Sequence, residues 1–254
     1  VGVRVGVDAE AEGGRVIVIG TTLAAYKMSG ADWHSWGAWL ANAEAVKASV
    51  DDNVRYFAAL ETDARGLVPF EPLLRRLDEI DGDYWSFSYD DRATVIDTAN
   101  RLRRICAGQN MVGEWASEMR ASHCLFLASD TQCRDDVLPR LLELKAPVAA
   151  CHIPTYCLGV DRPLITDYAA RGWDVRSHME SAACMMLRRD VFIRIKWHCD
   201  IDRNFSDDPA MHADVTELLG VPVLSRHDVL ATHWPESVPA IEHRHTEEER
   251  RVYR

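Results

Sequence analysis

The sequence predicts an α/β fold, a mostly parallel sheet with helices on both faces and a less regular C-terminal part. Three observations carry this expectation. Over the first 152 residues, short β-branched or aromatic runs alternate with stretches whose apolar residues recur at helical spacing. Each apolar run closes in polar or acidic residues, the pattern of a buried strand emerging into a loop. The length, 254 residues with 47% hydrophobic content, suffices for one large domain with its own core.

Taken in order, residues 1–14 carry alternating valines without a basic-then-apolar pattern, so they are expected as an extension and not a secretory signal. VIVIG at 16–20 is a first buried strand ending at glycine. Residues 33–50 place Trp33, Trp36, Leu40 and Ala43 at helical spacing. VRYFAAL at 54–60 is a second strand, closed by Glu61, Thr62 and Asp63. Residues 69–80 form a helix with Pro72 near its start and Leu73, Leu74 and Leu77 on one face. YWSFSY at 84–89 is a third strand ending in Asp90, Asp91 and Arg92, followed by a long helix over 93–118. A fourth strand is expected at 123–127, a helix at 135–144 and a fifth strand at 147–151. Residues 153–180, with Pro154, Gly159, Pro163 and Gly172, read as an extended loop. Beyond it come a strand at 182–187, a helix at 189–195, a polar loop at 200–208, a helix to Leu219, a strand at 229–232 and a charged tail at 241–254. The expected organisation is one catalytic domain over 15–240, with a nucleotide-binding part at 15–152 and an acceptor part at 153–240.

Parallel strands joined by right-handed crossovers put their C-terminal ends on one edge, where α/β proteins bind ligands. Glu61/Asp63, Asp90/Asp91 and Asp130 then gather there, which points to a cation or sugar site. The stretch from His123 to Pro139 is the most informative. It runs as an apolar strand into Ser129-Asp130-Thr131 and then into a Pro-bearing helix start. An aspartate at that strand tip suits a hard divalent cation, through its carboxylate oxygens. The same aspartate would equally serve as a helix cap.

Acidic residues outnumber basic ones, 40 to 29, for a formal charge of −11. That balance opposes binding to a phosphate backbone, so nucleic acid is not an expected partner. No apolar run reaches the roughly 18 residues of a membrane span. Seven cysteines lie scattered through apolar segments, as expected of reduced thiols in a cytoplasmic protein. Cys151, His152 and Cys157 lack the paired knuckles of a structural zinc site. Neither a G-x-x-x-x-G-K-[ST] nor a G-x-G-x-x-G motif occurs.

The strand, acid and Pro-helix unit around Asp130, the helix carrying Gly108-Gln109-Asn110, the strand into Arg189 and the helix start at Ser206-Asp207-Asp208 occur in the order found in GT-A glycosyltransferases. The chain resembles the family-two-like members of that Rossmann-like group over roughly residues 16–233. Their metal motif is Asp-x-Asp. Here the matching residues are Ala128-Ser129-Asp130, a degenerate form that keeps the aspartate generally found on the metal. The resemblance implies a sugar nucleotide as donor and Mn²⁺ or Mg²⁺ bound by Asp130 and the C-terminal His233. Imidazole, carboxylate and diphosphate oxygens together make a reasonable set for either ion. A surface histidine is the other reading of His233.

The same resemblance implies donor contacts at Thr21 and Thr22 after the first strand, at Glu61 and Asp63 after the second, and at Asp91 and Arg92 after the third. Asn110 and Ser129 complete that group. Gln109 stands where many relatives carry arginine. Asp207 and Asp208 match the acidic pair from which an inverting enzyme draws its base, Asp208 being favoured; both equally suit a helix N-terminus. His152, Tyr156, Trp173 and Trp234 are candidates for the acceptor, the tryptophans through stacking, and His178 lies nearby. Trp33, Trp36, Trp85 and Trp115 read as core.

The implied activity is a metal-dependent, hexosyltransferase-like transfer to an acceptor hydroxyl, inverting if an aspartate is the base. Two alternatives stand beside it. One is a non-catalytic carbohydrate- or nucleotide-binding homologue, motivated by Ala128 and Gln109. The other is a nucleotidyltransferase making sugar nucleotides, for which the loop after the first strand, with Lys27 alone, is short of basic residues.

Overall fold

The computed structural model describes residues 15–24, 36–88, 98–129, 131–152, 183–199, 210–211, 213–221 and 223–233. Eight strands and five helices make up the described elements: β1 (Val16–Ala24), α1 (Trp36–Lys47), β2 (Asn53–Thr62), α2 (Glu71–Glu79), β3 (Asp83–Ser88), α3 (Thr98–Glu118), β4 (His123–Leu127), β5 (Thr131–Cys133), α4 (Val137–Glu143), β6 (Val148–His152), β7 (Cys184–Arg188), α5 (Arg189–Phe192) and β8 (Val223–His233). A short 3-10 turn, Val68–Phe70, leads into α2, and one turn of π-helix, Asp214–Leu218, precedes β8.

The strand order is β3-β2-β1-β4-β7-β6-β8-β5. Pairing is parallel at β1–β2, β1–β4, β2–β3 and β6–β8. It is antiparallel at β4–β7, β6–β7 and β5–β8. These signs make β1, β2, β3, β4, β6 and β8 run one way, with β7 and β5 against them. The α/β class is as the sequence predicts, with one topological difference. β7 inserts antiparallel between β4 and β6, where the alternating pattern alone would extend the parallel run.

Strand alternation explains how both faces are covered. On one face Ile17, Ile19, Leu23, Tyr56, Ala58, Leu60, Leu125 and Leu127 pack with Trp39 and Val46 of α1, Leu73 and Leu77 of α2, and Leu138 and Leu141 of α4. On the other, Val18, Phe57, Ala59, Cys124 and Phe126 meet α3 through Cys106, Val112 and Trp115, and α5 through Val191 and Phe192. Phe57 stacks on Trp115 at 4.8 Å and meets Trp85 edge-on at 5.5 Å. The Trp115 indole N–H is satisfied by Asp83 Oδ2 at 3.0 Å. Trp115 is thus bound into the interior, as its spacing suggests, whereas Trp85 is half-buried and packs against this cluster.

Several boundaries differ from the sequence expectation. β1 continues four residues past Gly20, because Thr21 to Ala24 pair in register with Ala58 to Glu61 of β2. The expected loop at Gly20-Thr21-Thr22 is therefore strand. α1 ends at Lys47, before Val50, and α5 stops at Phe192, three residues short of the expected end. β8 begins at Val223, six residues before the expected 229. Its pairing with β6 jumps from Cys151↔Arg226 to His152↔Leu230, so His227, Asp228 and Val229 bulge out and break the apolar pattern. β5 escapes a sequence reading because three residues, Thr-Gln-Cys, carry no periodicity. The expectations for 1–14, 153–180, 200–208 and 241–254 lie outside the described residues.

Six cysteines among the described residues are free, all buried except Cys199, which is partly covered. Burial pushes the Cys124 thiol up, and a hydrogen bond to Cys184 together with burial raises that of Cys133. No helix among the described residues is long and apolar enough to cross a membrane.

Candidate functional site

The strand directions bring Ala24, Thr62, Ser88, Leu127, His152 and His233, the last residues of six strands, to one edge of the sheet. The candidate site is built on this edge, and its floor is the contact between β1 and α3. Gly20 has no room for a Cβ, which would run into Val112 of α3. Gly108 of α3 has none either, because Thr22 lies against it. Two glycines thus let helix and strand approach closely, setting Thr22 against α3 two residues before the end of β1, with Thr21 beside it on the other face. Thr21 is buried, and the hydroxyls of Thr21 and Thr22 find no hydrogen-bond partner among the described residues. A buried hydroxyl left so is costly unless a partner arrives.

Next to it, Glu61 of β2 lies opposite Ala24 of β1 and Phe87 of β3. Its carboxylate pairs with Arg104 of α3 at 3.1 Å, with the side chains 11% and 12% exposed. The pair is nearly dry, so losing either charge strands the other in a poor solvent. Arg104 carries no local signal in the sequence; it meets Glu61 only because α3 crosses behind β2.

Asp63 is exposed and is held in its own turn. Its carboxylate accepts the backbone N–H of Arg65 at 2.9 Å and the Arg65 guanidinium at 2.6 Å, while Gly66, at a φ of 62°, donates to the Asp63 carbonyl at 2.9 Å. The hydrogen bonds from Arg65 hold this carboxyl below the usual range. Asn110 is likewise engaged at both ends. Its Nδ2 donates to the Trp197 carbonyl at 2.9 Å and its Oδ1 accepts the Trp197 N–H at 2.8 Å. This amide clamps the segment after α5 to α3, beside a cleft lined by Gln109, Phe126, Phe192, Lys196 and Trp197.

At the far side of the edge, β4 ends at Leu127, and Ala128 donates its N–H to the Ala183 carbonyl at 2.8 Å. Ser129 is buried. Chain direction then reverses, because β5 pairs antiparallel with the end of β8 in the register Thr131↔His233, Gln132↔Thr232 and Cys133↔Ala231. His233 therefore lies across from the residue that follows Asp130, although the two are a hundred positions apart in sequence. Thr131 is buried, with no hydrogen-bond partner for its hydroxyl among the described residues. Sequence reasoning missed Asn42 of α1, whose side chain reaches β5; the available signal was a polar residue between Trp39 and Val46 on a buried helix face.

Asp91, Arg92, Asp130, Tyr156, Trp173, His178, Asp207, Asp208 and Trp234 lie outside the described residues. Among the described residues no group of three or more His, Cys, Asp or Glu is placed to hold a metal ion.

No family model and no curated protein matches the chain. Solved structures do. A mannosyltransferase from Pyrobaculum calidifontis in complex with GDP-Man and Mn²⁺ is similar over 91% of this chain, at 14% identity and a TM-score of 0.52. This chain spans 59% of that protein's length. The galactosyltransferase LgtC in complex with donor and acceptor sugar analogs matches 79% of this chain and 64% of its own, at 15% identity and a TM-score of 0.40. The apo glycosyltransferase GlyE of Streptococcus pneumoniae TIGR4 matches 85% and 46%, at 12% identity and also 0.40. Only the first superposes well enough to carry an argument, and what it carries is the fold: an α/β sheet with flanking helices of the GT-A type.

Proposed function

We propose that the chain is a glycosyltransferase that moves a sugar, of the hexosyl class, from a nucleoside diphosphate to an acceptor hydroxyl with the help of a divalent cation. The observation that carries this reading is the β5–β8 register, Thr131↔His233, on a GT-A-type sheet. It brings the backbone of one candidate ligand to the neighbour in sequence of the other. Carboxylate and imidazole fit Mn²⁺ or Mg²⁺ as a two-residue set that diphosphate oxygens would complete. Bound there, the ion would supply positive charge to the departing diphosphate. In this reading the chain is family-two-like but departs from the Asp-x-Asp motif, Ala128 standing in place of the first aspartate and Asp130 being its single carboxylate.

The donor pocket in this reading lies over the tips of β1, β2 and β3. Thr21 and Thr22 are assigned hydroxyl contacts there, Glu61, already paired with Arg104, is assigned to the nucleoside end, and Asp91, Arg92 and Ser129 are assigned to the remainder. Asp63 and Asn110 are assigned positioning roles, because their polar groups already bond Arg65 and Trp197. Asp208, or else Asp207, takes the proton of the acceptor hydroxyl as its oxygen bonds the anomeric carbon and the bond to the diphosphate oxygen breaks. Tyr156, Trp173 and Trp234 belong to the acceptor side, within a part running from 153 to 240, and His152, the last residue of the nucleotide-binding part at 15–152, joins them.

Calorimetric titration with GDP and with UDP, each with and without Mn²⁺, tests the reading on the wild type and on Asp130→Ala. Mn²⁺-dependent binding of one nucleotide, weakened about tenfold or more by the substitution, is expected; that loss corresponds to about 1.4 kcal/mol. Binding indifferent to both metal and substitution removes Asp130 from the site. Nucleotide binding without sugar transfer identifies a non-catalytic relative.

A further inference from the structure

β5 is only three residues long, yet in the proposed site it sets where the chain after Asp130 meets the chain at His233. Alternate residues of a strand present their N–H and C=O groups to opposite edges. Gln132 faces β8, so the carbonyl of Thr131 and the N–H of Cys133 face the other way, where no strand follows among the described residues. Both are taken by one side chain. Asn42 Nδ2 donates to the Thr131 carbonyl at 3.0 Å, and Asn42 Oδ1 accepts the Cys133 N–H at 3.4 Å and the Cys133 thiol at 3.5 Å. Of the other two outward groups, the Thr131 N–H donates to the Ala128 carbonyl at 3.1 Å.

The orientation of the amide follows from its partners. A carbonyl requires the NH₂ end and an N–H requires the oxygen. Asparagine is an indifferent helix former, and here it occupies the buried face of α1 between Trp39 and Val46. A leucine at this position would suit the helix better but would leave two backbone groups of β5 without partners.

We infer that Asn42 is a positioning residue whose amide takes the place of a neighbouring strand, locks β5 in register against β8, and thereby fixes the residue next to Asp130 against His233 for the cation. This rests on the reading of Asp130 and His233 as ligands, and the two are separable by experiment. Asn42→Asp is nearly isosteric but turns the donor facing the Thr131 carbonyl into an acceptor. Asn42→Ala removes all three bonds without repulsion and serves if the aspartate variant does not fold. Leu73→Ala, in the core under α2 and away from β5, is the control for general destabilisation.

Mn²⁺ binding is read from the paramagnetic resonance signal of the free ion, with GDP and with UDP present. Deuterium uptake of peptides covering β5 is read without metal. Both Asn42 variants are expected to raise the Mn²⁺ dissociation constant about tenfold or more, the size typical of losing an outer partner of a metal site. They are also expected to speed exchange in β5. Leu73→Ala, at an equal or larger loss of Tm, should leave Mn²⁺ affinity within about twofold of wild type. Unchanged β5 exchange in Asn42→Ala, or wild-type Mn²⁺ affinity in either Asn42 variant, overturns the role of Asn42. A wild type that binds Mn²⁺ with neither nucleotide overturns the ligand reading itself.

Discussion

Replacing His123 by glutamine should flatten the acid side of the stability profile, in a window set by the structure. His123 opens β4 at the edge remote from the candidate site, paired with Ile17 on one side and Arg188 on the other. Its Nδ1 lies 3.1 Å from Ser122 Oγ, whose own hydrogen is donated to the Val16 carbonyl at 2.9 Å. Ser122 therefore accepts, Nδ1 carries the proton of the neutral ring, and Nε2 is the nitrogen that acid must protonate. Burial disfavours that charge, and Arg15 and Arg188 add to the effect against the weaker pull of Asp52 and Asp190, so the pKa falls to about 4. In the unfolded chain it returns to about 6.5.

The sign follows from linkage. Above pH 6.5 the ring is neutral in both states and contributes no pH dependence. As pH falls from 6.5 towards 4, only the unfolded chain takes up the proton, and folding loses about 1.4 kcal/mol per unit, levelling off below pH 4. The full window amounts to about 3 kcal/mol, and partial solvent access to the ring reduces this to about 2. Urea unfolding of wild type and His123→Gln at half-unit steps from pH 7.5 to 4 isolates this group from the other nine histidines. The stability difference between the two proteins should shift by about 2 kcal/mol across that range, in favour of the variant at low pH. Parallel curves would refute the account of His123.

Two further outcomes test the floor of the site. Gly20→Ala should cost about 1–3 kcal/mol in urea unfolding, because its Cβ meets Val112, and adding Val112→Ala should restore most of the loss; equal losses in both would place the strain elsewhere. Arg104→Met should cost about 3 kcal/mol by leaving the Glu61 carboxylate nearly buried without this partner, whereas Arg104→Met with Glu61→Gln should recover at least half. Additivity of the two substitutions in a double-mutant cycle would count against that coupling.

Much of the fold was legible because it rests on local repetition. β-branched runs alternating with 3.6-period stretches marked β1 to β4, α1 to α4 and the helices on both faces, and the strand at His123–Leu127 was legible to the residue. The acidic ends of these strands could be assigned to one edge as soon as the strands were taken as parallel. Features decided between distant segments were not legible. Nothing local says that β7 runs antiparallel between β4 and β6, or that Thr-Gln-Cys forms a strand at all. A three-residue segment becomes a strand only because β8 pairs one side of it and Asn42 satisfies the other. Asn110 and Asp63, polar residues at suggestive positions, turned out to be engaged by Trp197 and Arg65. The residue types at the site thus belong to the sequence. Which of them face a ligand and which hold the frame depends on hydrogen-bond partners up to a hundred positions away, and the tertiary structure alone supplies those partners.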